Sequence, residues 1–176
     1  MHPIIYDVAV SIDGYISGPD GDVSGFAHEG PVVDDYRARL AGYACALMGR
    51  ATYEFGYRYG MEPGQNPYAP MRTVVVSKSL ELPSDSAVEV WSALTRERVS
   101  ALKTQVDGPI YLCGGGQFAG AMLDLALIDR LCLKRAPVLM GAGTPLFDGT
   151  ARPMLKLESE THYKNGYVFQ DFTVGV

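Results

Sequence analysis

Residues 110 to 120 read Ile-Tyr-Leu-Cys-Gly-Gly-Gly-Gln-Phe-Ala-Gly, a short apolar run that breaks into three consecutive glycines and passes directly into a helical pattern. That is a strand-to-helix turn. Glycine has no Cβ, tolerates φ > 0 and leaves room beside the main chain, while the free N–H groups of the following helix favour an anion. A phosphate or pyrophosphate is the natural guest. Gly114, Gly116 and Ala119 also satisfy the spacing G-x-G-x-x-[G/A], although the match sits late in the chain whereas the dinucleotide fingerprint normally opens the first βαβ unit. On these residues alone, a tight turn with close helix-to-sheet packing serves equally well.

The remaining pattern fits an alternating fold. Ile4 to Ile12 reads as a first strand closed by the Asp13-Gly14 turn, and residues 17 to 31, with four glycines and two prolines, read as a long loop of the kind that forms lids. Tyr36, Leu40 and Tyr43 recur at helical spacing after Asp34 and Asp35, two acids that suit the positive end of a helix. Ala44 to Met48 is a second strand, Gly49 to Glu54 turns into a short helix, and residues 60 to 70 form a polar loop. Thr73 to Val76 and Ala87 to Val90 follow as strands, and Val99, Leu102 and Val106 line a helix starting near Thr95. After Asp129 only strands are indicated: Leu131 to Lys134, Met154 to Ser159 and Tyr167 to Val174, with a loop at 141 to 145. The pattern predicts an α/β fold with a mostly parallel central sheet, helices on both faces and antiparallel strands at one C-terminal edge. At 176 residues and 47% apolar content, one domain over 1–176 is expected.

The charge balance narrows the partners. Fifteen Lys and Arg against twenty Asp and Glu give −5, which argues against nucleic acid and anionic membranes and favours a small molecule or a second copy of the chain. Cys45, Cys113 and Cys132 are odd in number and lie in apolar runs, as suits reduced thiols in a cytoplasmic protein. His2, His28 and His162 have no metal-ligand spacing, and no run approaches the length of a membrane span.

Two strand-to-helix turns, at Gly49 to Thr52 and at Gly114 to Gln117, end strands of the same sheet, beyond whose carboxyl ends ligands gather in open α/β folds. Arg50 offers a permanently charged fork for a phosphate, and Thr52 a hydroxyl beside free helix N–H groups. Ser77 and Lys78, at the next strand end, add a hydroxyl and a second cation. Each also has a plainer role: a solvent-exposed charge for Arg50, helix capping for Thr52, a strand-end turn for Ser77 and Lys78.

Met48-Gly49-Arg50-Ala51-Thr52-Tyr53-Glu54, Val74-Val75-Val76-Ser77-Lys78 and Tyr111-Leu112-Cys113-Gly114-Gly115-Gly116 occur in the order and approximate spacing of the dihydrofolate reductase fold, which this chain resembles over nearly its whole length. Ser11 to Ile16 and Pro137 to Phe147 are similar to the branch containing the reductase domain of bacterial riboflavin biosynthesis. The resemblance implies a three-layer dihydrofolate reductase-like fold and NADPH as hydride donor. It places Arg50 near the adenosine 2′-phosphate, Thr52 and Gly114 to Gly116 on the pyrophosphate, and Ser77 and Lys78 near the adenine ribose. Ala9 and Ile16 would hold the nicotinamide through backbone groups, with Cys113 as a small residue lining that end. Gly49, Ala51, Gly115, Gln117 and Phe118 complete the expected cofactor set. A homodimer is also implied, with the β-rich C-terminal third as the place for its interface.

Two positions depart from the riboflavin reductases, which tend to carry a basic residue after the Asp-Gly pair and a carboxylate before the glycine turn. Tyr15 and Cys113 stand there. Residues 1 to 36 contain no Lys or Arg but hold Asp7, Asp13, Asp20, Asp22, Glu29, Asp34 and Asp35, so a phosphorylated substrate covered by this segment would be repelled. The expected activity is NADPH-dependent reduction of a C=N or C=O bond in a small, planar, unphosphorylated compound by a stand-alone reductase. The alternatives are 5-amino-6-(5-phosphoribosylamino)uracil reduction and a nucleotide-binding module without turnover. Such a reduction needs a proton donor as well as a hydride. Asp34 and Asp13 are the candidates, with N-capping and turn formation as their structural readings, and Asp35 and Tyr53 are the expected substrate contacts; for Tyr53, as for Phe118, core packing is the alternative.

Overall fold

The computed structural model describes residues 1–175. The chain runs β1 (Ile4–Val10), β2 (Tyr15–Ser17), α1 (Pro31–Leu40), β3 (Cys45–Gly49), α2 (Arg50–Phe55), β4 (Arg72–Val76), β5 (Glu89–Trp91), α3 (Arg96–Gln105), β6 (Ile110–Gly114), α4 (Gly116–Asp124), β7 (Arg130–Arg135), β8 (Thr144–Pro145), β9 (Leu155–His162) and β10 (Val168–Val174). The main sheet has the order β5-β4-β3-β6-β1-β7-β10-β9. Strands β5 through β7 are parallel, and β10 and β9 add antiparallel at one edge. This is the expected α/β arrangement.

Parallel strands covered on both faces need apolar residues throughout, and β3 (Cys45, Ala46, Leu47, Met48) supplies four buried ones in succession. Side chains alternate across the sheet. Ile4, Tyr6, Leu47 and Leu112 join Val99, Leu102 and Met122 of α3 and α4 in one core, while Ile5, Ala46, Met48 and Tyr111 meet Tyr36, Leu40 and Tyr53 of α1 and α2 in the other. The same alternation turns Asp7 of β1 and Lys134 of β7 toward the α1 face.

Several boundaries differ from the sequence expectation for local reasons. Helix α1 starts at Pro31, whose fixed φ suits the first helical position, and its N-cap is Gly30 at φ +95°. Asp34 therefore sits inside the first turn and is not the cap. β1 stops at Val10 because Ser11 and Asp13 close a turn, and β2 leaves the main sheet to pair with β8, inside the segment expected to be loop. The strand expected at Met154 to Ser159 runs from Leu155 to His162, and all eight of its residues are exposed. No helix among the described residues is long and apolar enough to cross a membrane.

Candidate active site

The ends of β3, β4 and β6 open into a cleft of about 480 Å³ that includes Gly49, Arg50, Ala51, Thr52, Ser77, Lys78, Gly115, Gly116, Gln117 and Phe118 in its lining. The three glycines of the turn beside it have three different roles. Gly114 takes φ +109°, a conformation that L side chains rarely adopt. A Cβ on Gly116 would run into the carbonyl oxygen of Pro145, and one on Gly120, a helical turn later, into that of Asp148. These two therefore make the flat face on which the loop after β8 lies, with the Asp148 N–H donating to the Gly116 carbonyl at 3.0 Å. Of the three, only Gly115 would direct a Cβ toward Thr52, 3.4 Å from its Oγ1 at the cleft wall. The first helical bond of α4 runs from the Ala119 N–H to the Gly115 carbonyl at 2.8 Å, leaving the N–H groups of Gly116, Gln117 and Phe118 outside the helical ladder.

Two exposed cations border this cleft. Arg50 donates to Ser79 Oγ at 3.0 Å and lies 3.7 Å from Glu54, while Lys78 is exposed. The Ser77 hydroxyl accepts from the Leu80 N–H at 2.9 Å and the Ser79 N–H at 3.2 Å, so it also fixes the strand-end turn. Backbone donors, hydroxyls and cations around a groove of this size form a donor set for a phosphorylated ligand, and the wall at Gly115 leaves room for one.

A second cleft, of about 600 Å³, lies on the α1 side of the sheet beyond the glycine turn. Ala9 and Ile16 line it together with Phe26, Phe55, Tyr36, Tyr68, Tyr111 and Tyr167, and Val23, Ala27 and His28 bring the 17 to 31 loop over it. That loop is tied down where the Ala27 N–H donates to the Tyr167 hydroxyl at 2.6 Å. Ile16 stands at the seam, its Cδ1 within 4.0 Å of the positions that side chains on Gly114 and Gly115 would occupy.

At the floor of the aromatic cleft lies a buried charge cluster. The Asp7 carboxylate is 1% exposed and accepts from Lys134 Nζ (2.7 Å), Arg39 Nε (2.8 Å) and the Tyr43 hydroxyl (3.2 Å). Burial opposes charge on Asp7, but Lys134 and Arg39 outweigh it and hold the carboxyl below its ordinary range. For Lys134 burial prevails over the help of Asp7 and lowers the ammonium's pKa. The ammonium also sits 3.6 Å from the centroid of the Tyr36 ring, whose hydroxyl is 2.8 Å from that of Tyr111. Burial pushes the Tyr36 phenol up to about 12, so it stays protonated at neutral pH.

Comparison with known proteins settles the family. The model of the RibD C-terminal domain matches residues 3–169. The chain belongs to the RibD C-terminal domain family. It is 26% identical over 175 residues to the uncharacterized protein YyaP of Bacillus subtilis, covering 94% of this chain and 91% of YyaP. A putative riboflavin biosynthesis protein from Shewanella sp. PV-4 shares its fold at a TM-score of 0.82 and 20% identity, with 99% of both chains covered. The Thermotoga maritima diaminohydroxyphosphoribosylaminopyrimidine deaminase/5-amino-6-(5-phosphoribosylamino)uracil reductase matches at a TM-score of 0.68 and 16% identity, over 98% of this chain and 57% of that one.

In this RibD C-terminal domain the expected cofactor residues divide between the two clefts, Ala9 and Ile16 lining the aromatic one. Gly114 and Cys113 line neither: Gly114 is buried in the turn, and Cys113 packs with the tyrosine core, where burial drives its thiol well above the ordinary range. The acids expected to handle a proton lie elsewhere. Asp13 accepts from Ser11 Oγ (2.6 Å), the Gly141 N–H (2.7 Å) and the Met140 N–H (3.1 Å), which bring its carboxyl down to about 2 and make it the pin between the first turn and the 137–141 segment. Asp34 pairs with Arg37 at 3.4 Å, and Asp35 accepts from the Tyr163 hydroxyl at 2.6 Å; both are exposed and line neither cleft. Tyr53 is buried, its hydroxyl donating to the Gln65 carbonyl and accepting from the Gly64 N–H, so it secures the 60 to 70 loop and does not reach the cleft. Of the seven acids before residue 37, only Asp7 lines the aromatic cleft, and two cations neutralise it. The repulsion expected from that segment is therefore absent. Asp7 and Lys134 are the functional candidates that the sequence reading missed.

Proposed function

We propose that this domain is an NADPH-dependent reductase acting on a small planar compound with a C=N or C=O bond. The observation that carries this reading is the adjacency of the two clefts: a groove of anion donors and an aromatic chamber meet at Ile16 and the glycine turn. Arg50 and Lys78 would hold the 2′-phosphate and adenosine end, Thr52 with the N–H groups of α4 the pyrophosphate, and Ala9 and Ile16 the nicotinamide. Reduced nicotinamide, when bound, supplies a hydride. The apolar lining excludes water and stacks on a flat ring. The RibD family membership supports a reductase in general terms.

The test is a fluorescence titration with NADPH and NADH. Arg50→Ala weakens NADPH by about 1–3 kcal/mol, the loss of one charge-assisted contact, and leaves NADH nearly unchanged. Equal losses for the two cofactors contradict the assignment. Arg37, at the rim of the aromatic cleft, favours a second reading in which the substrate carries a ribosyl phosphate, as in the pyrimidine reduction of riboflavin biosynthesis. Rescue of a riboflavin auxotroph lacking that reductase supports the second reading, and failure despite good expression supports the first.

The same domain is proposed to form a homodimer through β9, an uncovered edge strand with Met154, Leu155 and Leu157 exposed beside it. The expected result in sedimentation is a dimer that Leu157→Asp disrupts, and a monomeric wild type contradicts the proposal. The three free cysteines fit a reducing cytoplasm.

A further inference from the structure

Lys134 is not needed to complete the fold's charge balance. Asp7 carries one negative charge, whereas Lys134 and Arg39 carry two positive ones, so the buried cluster holds a surplus positive charge at the floor of an apolar chamber. In so poorly screened a place that charge acts strongly on whatever enters. Arg39 is turned aside, its guanidinium 4.1 Å from the Phe169 ring centroid. Lys134 lines the cleft. Its ammonium has three N–H groups, of which Asp7 takes one among the described residues, and Tyr36 covers one side. In the β1–β7 ladder Lys134 pairs with Ala9, so it lies beside the strand position expected at the nicotinamide.

We propose that Lys134, positioned by Asp7, binds and protonates the heteroatom of the substrate, and that the cleft therefore takes a neutral, flat aromatic or heteroaromatic carbonyl or imine compound. The chemistry rests on the reductase reading above. As the carbonyl or imine carbon gains the hydride, its π pair moves to the oxygen or nitrogen. That atom takes a proton from Lys134 Nζ, and the resulting amine regains one from water at the mouth of the cleft. Asp7 cannot be the donor, because it is ionised, 1% exposed and already bonded through both oxygens. Asp7 is a positioning residue.

The site can be tested without turnover, using 4-nitrophenol as a flat probe whose oxygen carries the charge that develops in reduction. The titratable and charged groups around Lys134 are Asp7 on β1, Tyr36 and Arg39 on α1, Tyr43 after it and Cys132 on β7, with Tyr111, His28 and Arg37 lining the same cleft. The absorbance of the bound probe, followed from pH 5 to 8, reports its ionisation. Wild-type protein favours bound phenolate at least tenfold over its proportion in solution. Lys134→Met abolishes that preference, while Arg96→Ala, an exposed cation at the start of α3 outside both clefts, leaves it intact. Lys134→Met keeps two of the three partners of Asp7, and circular dichroism checks that it folds. Absence of saturable probe binding, unshifted ionisation in the wild type, or a preference that survives Lys134→Met overturns the proposal. An NADPH titration of the same samples separates the readings: cofactor binding without phenolate preference removes only the role of Lys134, whereas loss of cofactor binding removes the reductase reading.

Discussion

Replacing Asp7 by Asn removes the charge that Lys134 and Arg39 share while keeping the size of the side chain. Arg39, whose side chain is 26% exposed, turns toward solvent at small cost, but Lys134 is 8% exposed and pairs with no other carboxylate among the described residues. Breaking one side of a buried ion pair costs about 3–5 kcal/mol. A ceiling follows from proton release. An ordinary lysine loses its proton near pH 10.4, so a neutral Lys134 at pH 7 costs about 4.6 kcal/mol at 1.36 kcal/mol per pH unit. The loss at pH 7 is therefore about 3–4.6 kcal/mol.

The sign of the pH dependence also follows. In Asp7→Asn the folded-state pKa of Lys134 falls far below its unfolded value, so the unfolded chain binds the extra proton and folding is penalised below that value. The penalty shrinks as pH rises, and at pH 9 its ceiling is about 1.9 kcal/mol. Urea denaturation of both proteins at pH 7 and pH 9 measures the difference, which narrows by about 1–2.7 kcal/mol. A double substitution Asp7→Leu with Lys134→Met recovers most of the stability at either pH. A loss below 1 kcal/mol at pH 7, or a difference that does not narrow with pH, refutes the account of a tightly coupled buried pair.

The glycine turn separates by substitution. Gly116→Ala drives a Cβ into the Pro145 carbonyl and lowers the melting temperature by many degrees, whereas Gly115→Ala meets only ordinary contact, at 3.4 Å from Thr52 Oγ1, keeps its melting temperature and weakens NADPH about tenfold or more in a titration. Matching effects of the two substitutions on both readouts contradict the division of roles. Asp13→Asn leaves the pH-rate profile between pH 5 and 8 unchanged. Because the folded-state pKa of Asp13 is depressed to about 2, its stabilisation is present above the ordinary carboxylate value and disappears as pH falls from about 4 toward 2. Acid denaturation of wild type and variant therefore converges in that window, and a changed pH-rate profile restores Asp13 as a proton carrier.

The alternating fold was legible because its signals are local: apolar runs ended by Gly-Arg, Ser-Lys and Gly-Gly-Gly, the first and last followed directly by a helical pattern. The donor-lined groove was legible for the same reason, since its parts are the turns themselves. Asp13 and Asp34 attracted a chemical reading because acids near a turn and a helix start look alike whether they cap, pin or catalyse. The buried pair was not legible as a pair. Asp7 and Lys134 are 127 positions apart and meet only because β7 docks beside β1. A faint signal existed in each: a lone charge inside an otherwise apolar strand run needs a buried partner. The edge character of β9 was hidden similarly, because its alternating Leu155 and Leu157 read as an ordinary half-buried strand until the sheet order left that edge uncovered.

Backbone amide shifts on titration with NADPH test the two-cleft account most directly. Perturbations are expected at residues 49–52, 77–78 and 115–118 in the donor groove, together with Ala9, Ile16 and Lys134 in the aromatic cleft. Absence of binding, or perturbations confined to surfaces outside these residues, contradicts it.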